Sequence, residues 1–111
     1  MPDAFDARIQ TDGAAPVIEL EGRIDGAAEA TLLGAWDRAS SGASRVVLDF
    51  GRTEYINSTG LAVIVQVLAR ARAQGTQVHA VGLSDHYREI FEITRLSDFV
   101  TLHADLAAAL A

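Results

Sequence analysis

The sequence predicts an α/β fold built on a mixed β-sheet, with an opening hairpin and about four helices. Three observations point there. Two short segments of β-type composition come first and are separated by a turn; thereafter strand-like and helix-like stretches alternate; and Arg45–Phe50 (RVVLDF) is a near-continuous apolar run of the kind buried on both faces. Later strands joined by helices run parallel through right-handed crossovers. At 111 residues the chain fits one domain spanning residues 1–111, large enough for a real core and too short for a second.

The elements follow in order. ARIQT and PVIELEG form the hairpin, with Gly13 and Pro16 marking the turn in DGAAP. In RIDGAAEATLLGAWDRASSGAS the apolar residues Ala28, Leu32, Ala35 and Trp36 fall on helical spacing behind an N-cap at Asp25, with Gly42 as the stop. RVVLDF is placed at the centre of the sheet. GRTEYINSTG reads as the loop leaving its carboxyl end, where α/β sheets carry function.

A second helix is expected over Ser58–Gln74, with Leu61, Ile64, Leu68 and Ala71 on one face and Gly75 as its stop. Arg70 and Arg72 suit its negative end. TQVHAVG is the next strand. SDHYREIFEITRL is a helix capped by Ser84 or Asp85, with Tyr87, Ile90 and Phe91 inward. FVTLH is a last short strand, and ADLAAALA a terminal helix too short to be stable alone.

Composition excludes several functions. Half the residues are apolar and 22% charged, as in ordinary globular chains. No cysteine is present, so disulfides, thiolate metal sites and thiol catalysis are ruled out. The net charge of −6 disfavours nucleic-acid binding. The acids Asp3, Asp6, Asp12, Glu19 and Glu21 read as a solvated face. No signal peptide is visible, and the longest apolar stretch, Leu61–Ala69, is interrupted by Gln66 and too short for membrane insertion. A cytoplasmic location is expected.

Little in the sequence suggests catalysis. INSTG is not the G-x-S-x-G nucleophile elbow, and no histidine is tied to Ser58 by a motif. His79, His86 and His103 lack metal-ligand spacing, and neither G-x-G-x-x-G nor a Walker pattern occurs. No enzyme activity and no cofactor is expected. Two places remain. Asp25 in GRID lies on the first strand-to-helix connection, and Asn57, Ser58 and Thr59 open the second helix. Each admits two readings: helix capping, which Asn, Asp, Ser and Thr all do well, or a functional role.

EGRID, RVVLDF, INSTGLAVIV and GTQVHAVGLSDHYREIFEITRL resemble the bacterial anti-sigma-factor antagonist family, whose domain is called STAS, over nearly the whole chain. The most specific part is the family's D-S-[ST]-G-L, which reads Asn57, Ser58, Thr59, Gly60, Leu61 here. The resemblance implies that Ser58 matches the family's phosphorylated serine. It also implies that Asp25 matches the acid of its G-x-[ILV]-D segment near the partner surface. The expected partner is an anti-sigma factor that is also a serine kinase, bound by the unmodified protein and released on phosphorylation, with a phosphatase reversing the step. The candidate partner-binding residues are Asp25, Asn57, Thr59, Gly60, Ala62 and Gln66. Asn57 departs from the family's Asp and brings no charge to the kinase site. That departure favours an alternative, a non-phosphorylated STAS scaffold or subunit in a transporter or stress-signalling complex.

Overall fold

A computed structural model describes residues 5–11 and 13–111, so Asp3 and Asp12 of the expected solvated face lie outside the described residues. Strands β1 (Asp6–Gln10), β2 (Val17–Ile24), β3 (Arg45–Ile56), β4 (Gln77–Val81) and β5 (Thr101–Leu102) form one sheet in the order β1-β2-β3-β4-β5. β1 pairs with β2 antiparallel, and β2 through β5 run parallel. The helices are α1 (Glu29–Ser40), α2 (Ser58–Gln74), α3 (Asp85–Ile93) and α4 (Leu106–Leu110). The expected mixed sheet, opening hairpin, four helices and central β3 are all present.

Successive parallel strands joined by right-handed crossovers place α1, α2 and α3 on one face. The main core lies there: Ile18, Leu20 and Ile24 of β2 and Val46, Leu48 and Phe50 of β3 meet Leu32 and Trp36 of α1, Val63, Ile64 and Val67 of α2, and Phe91 of α3. The opposite face has a smaller apolar cluster, in which Ala109 of α4 covers Val17, Val47 and Val81. Val46, Val47 and Leu48 are therefore all buried, as a strand covered on both faces requires.

The structure corrects several boundaries. β3 does not end at Phe50: Arg52, Thr53, Tyr55 and Ile56 pair with Glu21, Gly22, Arg23 and Ile24, so all of GRTEYI is strand and only Asn57 separates β3 from α2. Asp25 caps a 3-10 turn, Gly26–Ala28, and α1 begins afterwards at Glu29. The last strand shrinks to Thr101–Leu102 behind another 3-10 turn, Leu96–Asp98. On α2, Leu61 is only partly buried while Val63 and Val67 are buried, and on α3 Phe91 is buried but Tyr87 and Ile90 only partly. The bounds of α2 agree with expectation, because Asn57 caps its start and Gly75, at φ 72°, ends it with an N–H donated to the Ala71 and Arg72 carbonyls.

Candidate protein-interaction site

Ile24 and Ile56 are register partners, so the residues that follow them, Asp25 and Asn57, start side by side at the carboxyl end of the sheet. The Asn57 N–H donates to the Ile24 carbonyl at 3.2 Å. Asn57 is extended (φ −97°, ψ −176°), and its Oδ1 accepts from the Gly60 N–H and from the Thr59 hydroxyl, each at 2.8 Å. Thr59 Oγ1 in turn accepts from the Gly26 N–H at 2.9 Å, which fastens the 3-10 turn to the first turn of α2. On that turn Asp25 Oδ1 accepts from the Ala27 N–H at 2.9 Å and its carbonyl from the Ala28 N–H at 3.0 Å.

Close packing completes the arrangement. A Cβ built on Gly60 would lie 1.9 Å from the Ile24 oxygen, so only glycine lets α2 approach β2 this closely. The end of β3 is braced separately, the Ile56 N–H donating to the Tyr87 hydroxyl at 2.9 Å. That bond explains why Tyr87 turns inward.

The sequence-predicted residues thus fall into three groups. Asp25, Asn57, Thr59 and Gly60 form one fastened cluster, with Gly60 buried beneath it. Ser58, the first residue of α2, is exposed at the rim, and among the described residues its hydroxyl makes no hydrogen bond to protein; the N-cap is Asn57. Ala62 and Gln66 are exposed on the outward side of α2, one turn apart and outside the cluster.

Sequence reasoning did not find Gly26, Arg23 or Tyr55. Gly26 contributes only a backbone N–H, which leaves no sequence signal. Arg23 lies over the Tyr55 ring, 5.0 Å from its centroid, on the strand ends just below the site. Once β3 is known to reach Ile56, alternation along the strand exposes Tyr55. The histidines are elsewhere: His79 Nδ1 and His103 Nε2 are 2.8 Å apart, and His86 packs edge-on against Tyr87. Burial, followed by the neighbouring His103 and Arg45, lowers the pKa of His79 from its ordinary value.

The site is a small surface of hydrogen-bonded turns with an exposed hydroxyl at a helix start. A family model described as "Mlab, STAS domain" matches residues 7–106. The chain belongs to the STAS domain family. Over 75 residues, 67% of this chain, this STAS domain is 40% identical to BtrV of Bordetella bronchiseptica, whose proposed role is that of an anti-sigma factor antagonist, and the match spans 65% of that relative's length. A crystal structure of an anti-sigma factor antagonist from Mycobacterium paratuberculosis superposes with a TM-score of 0.81 at 21% identity, over 99% of this chain and 94% of that one. The unphosphorylated form of the anti-sigma factor antagonist SpoIIAA gives 0.69 at 18% identity over 96% and 93% of the two chains. The phosphorylated form of SpoIIAA, from Bacillus, gives 0.68 at 19% over 96% of each. At these identities the structural likeness establishes the fold. Among the described residues no helix of the STAS domain is long and apolar enough to cross a membrane.

Proposed function

We propose that this STAS domain is an anti-sigma-factor antagonist that works as a phosphorylation-controlled binding module in the cytoplasm. Unmodified, it binds an anti-sigma factor that is also a serine kinase; phosphorylation at Ser58 releases it, and a phosphatase restores binding. Asp25, Asn57, Thr59, Ala62 and Gln66 belong to the bound surface, and Gly60 seats α2 beneath it. The domain carries out no catalysis of its own and uses no cofactor. The observation that carries this reading is Ser58 itself: an exposed hydroxyl at the first position of α2 that makes no hydrogen bond among the described residues, since Asn57 does the capping. The role named for the relatives points the same way.

The physical chemistry favours release without unfolding. A phosphoserine adds about −1.5 to −2 charges and three acceptors, which the positive end of α2 tolerates. Inside an interface the same group would have to shed its water, and it would repel nearby carboxylates. The test is incubation with a serine-kinase anti-sigma factor from the same genome and ATP, then intact-mass and peptide mapping, with binding titrations of Ser58→Ala and Ser58→Asp. Phosphate on Ser58, a folded but weakly binding Asp variant and a binding-competent Ala variant are expected. The uncharged Asn57 beside Ser58 favours a second reading, a constitutive scaffold. No phosphate on Ser58 together with wild-type affinity of the Asp variant would leave that one standing.

A further inference from the structure

The outward side of α2 does not end at Gln66. Ala62, Val65, Gln66 and Ala69 are all exposed, and they lead to a groove of about 240 Å³ between the C-terminal half of α2 and the Leu96–Phe99 segment. Its lining is apolar (Val65, Leu68, Ala69, Leu96 and Phe99) apart from Arg72. Val65 is 47% exposed and Phe99 50%, two of the few large apolar side chains that the fold leaves in water. The Arg72 guanidinium stands 5.5 Å from the Phe99 ring centroid. Among the described residues Arg70 is paired with Asp37 and Arg95 with Asp98, whereas Arg72 has no carboxylate within ion-pair distance.

A specific protein interface takes roughly 20–30 residues a side. The carboxyl-end site offers far fewer, so a partner bound there must reach beyond it. From Ser58 to Arg72 along α2 is about 21 Å at 1.5 Å per residue, within the span of an interface of ordinary size.

We propose that this groove is a second docking point for the same partner, accepting an apolar side chain that the anti-sigma factor carries next to a carboxylate, with the carboxylate meeting Arg72. The inference rests on the function proposed above and adds to it where the partner's footprint runs. The aromatic ring supplies the apolar contact, and the guanidinium held over it is already oriented to receive the acid. Because the groove lies far from Ser58, phosphorylation there does not abolish this contact; it leaves a weak residual affinity that depends on Phe99.

The test uses the full chain and the anti-sigma factor that phosphorylates it, titrated with Phe99→Ser and Arg72→Glu. Both side chains are on the surface, so melting temperatures close to wild type are expected. Each variant is expected to weaken binding about tenfold or more, the size of a substantial anchor. A photoreactive phenylalanine analogue at position 99 is expected to cross-link to a partner segment containing Asp or Glu, and reversing that acid to Lys restores binding to Arg72→Glu. Wild-type affinity of both variants, while Ser58→Asp still loses binding, would overturn the groove and leave the function intact. A cross-link between two copies of this chain would overturn it in favour of self-association. If no serine-kinase anti-sigma factor of the genome binds the wild-type chain, the proposed function falls and this inference with it.

Discussion

Two helices are pinned to the sheet in different ways, one at its carboxyl end and one on its outer face. At the carboxyl end, α2 touches the β2 backbone at Gly60, and Asn57, Thr59 and Gly26 are joined by hydrogen bonds of 2.8–2.9 Å. On the outer face α4, five residues long, rests on three valines through Ala109 and is clipped by Arg45, whose guanidinium donates to the carbonyls of Ala109, Leu110 and Ala111 at 3.1–3.2 Å. The first attachment leaves no free space, and the second is a side-chain grip on a small apolar contact. The difference puts the tighter attachment at the surface proposed to bind a partner, where prior order would lower the entropy given up on association.

The largest effect expected is from Gly60→Ala. The added methyl would collide with a backbone carbonyl, which cannot retreat without breaking its bond from Asn57. Overpacking costs about 1–3 kcal/mol and sometimes more, and a loss at or above the upper end is expected in urea unfolding. A near-neutral result would mean that the carboxyl end is as yielding as the outer face.

Ala109→Asp tests the other attachment. It would set an unpaired carboxylate against Val17, Val47 and Val81, a large penalty if α4 stayed in place. A short helix held by a clip can come off instead. The loss is therefore limited to what docking contributes, about 2 kcal/mol for a small apolar contact plus the Arg45 bonds. Hydrogen exchange would show α4 released with the five strands still protected; global unfolding would show that α4 is integral.

These attachments also separate what was legible in the sequence from what was not. Both ends of α2 were readable because Asn57 and Gly75 act on the backbone immediately beside them. The fold class followed from periodicity, and the position of β3 from its near-continuous apolar run. The length of β3 was hidden, since Gly51, Arg52 and Glu54 look like loop; Arg52 is held in strand by pairing with Glu21, and Gly51 and Glu54 fall at register shifts between paired residues. The Thr59–Gly26 bond spans 33 residues and ends on a backbone N–H. Likewise, nothing local marks Phe99 as a neighbour of Arg72, 27 positions away in the chain. Asp25, Asn57, Thr59 and Gly60 of the carboxyl-end cluster could be named from the sequence, but Gly26 could not, nor could which of these residues support and which face outward.

Thr59→Val should sharpen the contrast at the carboxyl end with a smaller effect. It keeps the shape of the side chain while removing the acceptor for Gly26 and the donor to Asn57. Each net hydrogen bond is worth about 0.5–1.5 kcal/mol, and Gly26 is exposed enough for water to replace its partner, so a total near 1 kcal/mol is expected in urea unfolding. Faster exchange of the Gly26 amide, with Ala109 unchanged, would place the loss at the fastening between the two turns.

The smallest effect expected is acid sensitivity confined to the outer face. His79 is stacked on His103 with ring centroids 5.0 Å apart, bonds Gln77 through its other ring nitrogen, and has Arg45 near enough to act on its charge. Burial first, then the positive charge of His103 and Arg45, lowers its pKa from 6.5, so the folded protein favours neutral His79. The sign follows: well above 6.5 neither state takes a proton and nothing is lost. Below it the unfolded chain protonates first, so this contribution falls as the pH drops from about 6.5 towards the lower folded value. A second positive charge then stands beside Arg45, the residue that holds α4. At the carboxyl end Asn57 and Thr59 do not titrate in this range. Between pH 7.5 and 5.5 the Ala109 amide is therefore expected to lose protection while Gly60 keeps its own, and His79→Gln should remove the difference. Equal loss at both amides, or an unchanged Ala109 in the wild type, would show that the histidine pair does not govern the outer face.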